Sequence, residues 1–156
     1  MEWHELYDKD FYRWALQNAH FLRQGGLENT AKIDKLNIAV RLEQMAMSEK
    51  RLLVTRLSDL LVSLLRWQVQ TLMQSEIFKL EIEIQRDEVD EVLQDNPSLM
   101  DLIDGILRHS YRRAYLAAIV IRGFGEKDYP EECPYSFEQI MDNDFFPEEE
   151  PEESSD

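Results

Sequence analysis

From Leu53 the apolar positions step through Leu57, Leu60, Leu64 and Trp67, and Leu61 and Leu65 widen the stripe. Steps of four, three, four and three residues are the spacing of a helix that buries one face in a bundle. The pattern predicts a helix over 53–67 that forms the centre of the core. Full burial of each leucine is worth about 1.5–3 kcal/mol. Arg51, Arg56, Asp59 and Arg66 fall away from the stripe or at its edges.

The same periodicity predicts a helix over 8–24, with Phe11, Trp14, Ala15, Asn18 and Leu22 on one face and Gly25-Gly26 as a left-handed exit. A second helix is expected over 31–47. Ile33, Leu36, Val40 and Met47 mark its inner side, and Leu42 and Met45 its margins. Residues 77–93 fit two periods. Phe78, Leu80, Ile82 and Ile84 alternate with Lys79, Glu81, Glu83 and Gln85, as in a strand. Phe78, Ile82, Val89 and Leu93 also fit a helix. Gly and Pro are absent, and Glu and Lys fill the polar positions, which favours helix. Asn96-Pro97 then reads as N-cap and first residue of a helix over 97–121. Its inward side is Leu99, Leu102, Ile103, Ile106, Leu107, Ser110, Ala114, Ala117, Ala118 and Ile121, and Gly123-Phe124-Gly125 ends it.

Near the end stands an unusual string, Pro130 to Pro147. Ser136 with Gln139 three residues on is a capping box, and Tyr135 with Ile140 can form the accompanying hydrophobic staple. Pro130 and Pro134 stiffen the approach, and Asp142-Asn143-Asp144 and Pro147 stop the helix. Phe137, Ile140, Met141, Phe145 and Phe146 give this short helix an apolar side. Two readings follow: a clasp that packs back on the body, with Tyr135, Phe137, Ile140 and Phe145 near Trp67, or a docking motif for another protein.

Charge changes the picture at one end only. The net charge is −15. Residues 126–156 hold 13 acids against Lys127, a net of −12, which leaves −3 for residues 1–125. Glu148–Asp156 has nothing apolar to bury and is expected to be disordered. It either solvates the protein or offers an acidic arm that binds a basic partner or mimics nucleic acid. No basic patch is present, so direct nucleic-acid binding is disfavoured. No run of about 20 apolar residues exists, so no membrane span is expected. Met1–Glu5 shows no secretory leader, and the single cysteine, Cys133, cannot form an internal disulfide, so the cytosol is the expected location.

Four strings join the terminal one, Pro130 to Pro147: Asp10-Phe11-Tyr12-Arg13-Trp14, Ser48-Glu49-Lys50-Arg51, Leu64-Leu65-Arg66-Trp67-Gln68-Val69-Gln70 and Asn96-Pro97-Ser98-Leu99. In their order and spacing the chain resembles the bacterial family called domain of unknown function number twenty-nine, over about residues 6–147. The resemblance implies an all-helical fold and supports a helix at 77–93. It implies no activity, substrate or cofactor. The chain departs from the family pattern at Val40 and Arg41, beside the retained Glu43, and at Ser63 and Thr71. It departs again at Glu81, Glu83, Asp87, Asp90 and Glu91, where relatives are often rich in arginine.

Reactive constellations are scarce. His4, His20 and His109 are far apart and belong to no Glu-x-x-His pair, so they read as surface residues rather than metal ligands. Cys133 stands after Glu131 and Glu132, which raise its pKa and blunt it as a nucleophile. No glycine-rich loop carries a phosphate-binding lysine. The candidate interaction residues are therefore Arg66, Trp67, Gln68 and Gln70, together with Glu131, Glu132, Cys133 and Tyr135. Trp67 continues the leucine stripe and suits the core. Gln68 and Gln70 suit hydrogen bonds to the 130–135 segment.

The expectation is a single all-α domain over 6–147: an antiparallel bundle of about five helices, a short C-terminal clasp helix and a disordered acidic tail at 148–156. The expected function is a non-enzymatic interaction or scaffold module, acting on an unknown protein partner or as a homo-oligomer, with no catalytic residues, metal or cofactor. The alternative is a small-ligand binder or enzyme with a polar pocket between helices.

Overall fold

The computed structural model describes residues 3–9, 11–69, 74–122 and 129–148, without the side chains of residues 9, 11–16 and 122. Among the described residues every regular element is helical. α1 is Trp3–Lys9, α2 Phe11–Gln24, α3 Leu27–Ala31, α4 Lys35–Val69, α5 Glu76–Asp95, α6 Ile103–Arg122 and α7 Phe137–Met141, with a 3-10 segment at Pro97–Leu102. The chain divides into two compact units, Met1–Ser48 and Glu49–Asp156.

In the first unit, Gly25 and Gly26 take positive φ, 60° and 83°, where a side chain would be strained. They end α2 as the sequence predicts. Asn18 is buried and its Oδ1 accepts the Asp34 N–H at 2.7 Å. Asp34 in turn caps α4, accepting from the Asn37 backbone at 3.3 Å and from its amide at 2.8 Å. The expected helix over 31–47 therefore starts later, at Lys35. It also runs on without a break into the leucine helix. Nothing in Ser48-Glu49-Lys50-Arg51-Leu52 can stop it, because glycine and proline are both absent. Leu36, Val40 and Met47, expected inward, are exposed, as are Leu42 and Met45 at the margins, and so is Leu22. Phe11, Trp14 and Ala15 have side chains outside the described set.

The second unit holds the core. Leu53, Leu57, Leu60, Leu61, Leu64 and Leu65 are fully buried, as their spacing predicts. α4 and α5 run antiparallel: Trp67 meets Phe78 with ring centroids 5.8 Å apart, Arg56 pairs with Glu88 at 3.3 Å, and Glu49 accepts from Asn96 at 3.0 Å. α6 contributes Ile106, Tyr111, Ala114 and Ala118 to the buried core. Leu102 and Ile121, expected inward, are exposed. Asn96 does not cap with its side chain. Its amide donates to Val92 O instead, and the chain passes through the 3-10 segment before α6 begins.

α5 resolves the ambiguity of 77–93. It is helical throughout, with Ser75 capping it by accepting from the Phe78 N–H at 3.1 Å. Phe78, Ile82 and Val89 are buried, while Ile77, Leu80 and Ile84 are 72, 57 and 58% exposed. At 3.6 residues per turn the two sets lie on opposite sides. The strand-like alternation arises because successive apolar residues point alternately in and out of a helix with two apolar faces.

Ile82→Ala should cost about 2–5 kcal/mol in a urea unfolding experiment, and Leu80→Ala should fall within about 0.5 kcal/mol of wild type. Equal losses would contradict the two-faced helix.

Candidate functional site

The 129–148 segment lies against α4, α5 and α6. Ser136 accepts from the Gln139 backbone at 3.1 Å, and the Gln139 side chain accepts from the Ser136 backbone at 3.0 Å, so the capping box is formed. Tyr135 and Ile140, the staple pair, are both buried. The Trp67 and Phe146 rings are 4.9 Å apart, and Tyr135 meets Phe145 edge-on at 5.6 Å. The Tyr135 hydroxyl donates to Gln68 Oε1, and the Tyr111 hydroxyl to Pro130 O. The segment thus packs on the body near Trp67. Gln68 binds its side chain, not its backbone as expected.

One residue in this contact carried no sequence signal. Arg86 sits on the inner face of α5 and is 2% exposed. Its Nε donates to Ile140 O at 2.7 Å and its Nη2 to Phe145 O at 2.6 Å. Ile140 O is one of the last carbonyls of α7, which the helix itself leaves without a partner. The guanidinium also lies 5.4 Å from the centre of the Phe146 ring. Burial lowers the Arg86 pKa, and Asp142 and Glu83 act against that by favouring its charge. In the sequence, Arg86 looks like one more polar position on a charged helix. Only the position of the carbonyls, some 54 residues away, shows why it points inward.

The sequence-predicted residues separate into two groups. Trp67, Gln68 and Tyr135 belong to the packing just described. Arg66 is half-buried, 5.8 Å from the Phe78 ring, and Gln70 lies outside the described residues. Glu131, Glu132 and Cys133 line a cleft of about 740 Å³ against Asp104, Arg108, Tyr111, Arg112 and Tyr115 on α6. Tyr135 also lines it.

Cys133 is half-buried, with its Sγ donating to Tyr135 O at 3.4 Å. Burial raises its pKa, opposed only in part by hydrogen bonding at the Tyr135 backbone. The direction matches the sequence expectation, but the cause is desolvation rather than the flanking glutamates. Tyr111 is likewise pushed up, first by burial and then by Cys133 and Tyr115. Two groups held neutral side by side do not form a nucleophile and its base. No histidine lines the cleft. Among the described residues no cluster of three His, Cys, Asp or Glu could hold a metal ion, and no helix is long and apolar enough to cross a membrane.

An all-helical body with a carboxy-terminal segment latched onto it is the class of protein that these elements define. The chain belongs to the family described as Domain of unknown function DUF29, whose model matches residues 6–146. No curated protein and no solved structure matches it.

Arg86→Met should cost about 2–4 kcal/mol, because two buried carbonyls lose charged donors. Arg86→Lys should restore only part of that, since an ammonium lacks the fork that reaches both. Tyr135→Phe should cost about 1 kcal/mol, the worth of one hydrogen bond, and Tyr135→Ala about 2–5 kcal/mol. Urea unfolding measures all four. A wild-type midpoint for Arg86→Met would show that the segment is not latched by this residue.

A raised thiol pKa leaves less thiolate at any pH below it. Iodoacetamide should therefore modify Cys133 more slowly at pH 8 than it modifies the unfolded chain, with the rate still rising above about pH 10, where an ordinary thiol has nearly levelled.

Proposed function

We propose that this protein is a non-enzymatic, cytoplasmic interaction module whose partner surface is the outer face of α5. The observation that carries the reading is the exposure of Ile77, Leu80 and Ile84, three large apolar side chains at steps of three and four along one helix. A helix in water gains nothing from a second apolar stripe unless something covers it. Asp87 and Glu91 continue that face, and Glu81 and Glu83 flank it, all four exposed. Glu76 and Glu88 stand at its edges, engaged with Lys79 and Arg56.

An apolar stripe framed by carboxylates complements one kind of occupant: a basic amphipathic helix of another protein, laid along α5 with lysine or arginine on either side of its apolar residues. The protonated Cys133 and the lack of a nucleophile–base pair among the described residues favour binding over catalysis. The family match over 6–146 supports taking both compact units as parts of one domain, with the acidic tail as an accessory.

The probe is a designed basic helical peptide with a leucine stripe, compared with a scrambled peptide of equal charge and with an acidic helix bearing the same stripe. The basic helix should bind the full chain, more weakly as salt rises. Scrambling should weaken it by at least about tenfold, and the acidic helix should fail. The triple change Ile77→Ser, Leu80→Ser, Ile84→Ser should abolish binding without lowering the melting temperature. Equal binding of the scrambled peptide would reduce the effect to bulk charge and refute the reading. So would a dimer, seen by light scattering, that the triple change dissolves, because the face would then be covered by a second copy.

A further inference from the structure

We propose that the cleft between α6 and residues 131–135 binds a small dipolar molecule, with a carboxylate at one end and an ammonium at the other, of the size of a short peptide. The cleft's volume of about 740 Å³ falls within the roughly 300–1,000 Å³ of small-molecule sites. Its two walls carry opposite charge. Arg108 and Arg112 stand one helical turn apart on α6, and Glu131 and Glu132 are adjacent on the facing segment. Among the described residues no ion pair joins the two walls.

Each wall therefore sets two like charges side by side, which repel. Asp104, one turn before Arg108, offsets the cationic wall only at its end. An anionic group placed between the arginines relieves the first repulsion, and the forked guanidinium geometry suits a carboxylate. A cationic group between the glutamates relieves the second. A phosphate or dicarboxylate is repelled by the glutamates, and a simple amine by the arginines, so the pair of walls selects a molecule carrying both charges. Tyr115, half-buried on the α6 wall beside Tyr111, adds apolar surface along the middle of the cleft. The Tyr111 hydroxyl is held by Pro130 O and fixes the relation of the walls. The cleft lies on α6 and the latched segment and is independent of the outer face of α5.

The test uses the full chain and the tripeptide Gly-Phe-Gly, with its N-acetyl and C-amide forms, followed by amide chemical shifts. Gly-Phe-Gly should shift residues 104–116 and 131–135, and each capped form should bind about tenfold or more weakly, as expected on losing a charge-assisted contact. Arg108→Gln with Arg112→Gln should erase the difference between acid and amide while keeping the penalty for acetylation. Glu131→Gln with Glu132→Gln should do the reverse. All four positions are exposed, so melting temperatures should stay unchanged. Absence of binding by Gly-Phe-Gly, equal binding of all three forms, or wild-type discrimination in either double variant would overturn the proposal.

Discussion

A buried arginine holds the carboxy-terminal segment of this protein in place. Arg86 passes its aliphatic stem through the inner face of α5 and delivers two donors to Ile140 O and Phe145 O. A charge in that position is costly to desolvate, and the cost is offset by both carbonyls, by the face of Phe146 and by the carboxylates of Asp142 and Glu83. The arrangement is mutual. Ile140 O, at the end of α7, has no helical partner, and without Arg86 it would be buried unpaired.

Other features depend on that contact. With the segment latched, Phe146 covers Trp67 and the Tyr135 hydroxyl reaches Gln68. Tyr111 secures Pro130, and Glu131, Glu132 and Cys133 come to face α6. The cleft exists because a stretch of chain with little regular structure is fixed against a helix at several points. The same packing consumes the apolar side of α7, so the terminal string acts as part of the body rather than as a free docking motif. The apolar surface left over lies elsewhere, on the outer face of α5.

Much of the second unit was legible in the sequence. The leucine stripe of α4, the capping box at Ser136 and the helicity of α5 each rest on local rules: periodicity, a side chain reaching its own backbone three residues on, and the absence of breakers. The proximity of the terminal segment to Trp67 was also foreseen, from the amphipathic pattern of a short helix that needs a cover. The first unit is less legible. Leu36, Val40 and Met47 have the spacing of a buried face and are exposed. Periodicity states that a face is apolar and does not state whether another element reaches it.

The sequence by itself determined the all-helical character of the chain, the capping box at Ser136 and the centre of the core, because these follow from patterns and contacts within a few residues of each other. Tertiary structure decided the rest. It alone turned Arg86 inward, gave α5 a buried and an open apolar face, made desolvation rather than the neighbouring glutamates the cause of the raised Cys133 pKa, and set Arg108 and Arg112 across a gap from Glu131 and Glu132. Each of these depends on which groups from distant parts of the chain share a low-dielectric space or a solvent gap. Hydrophobic spacing carries no information about such pairings, since it records how a segment meets the core and not what stands on the other side.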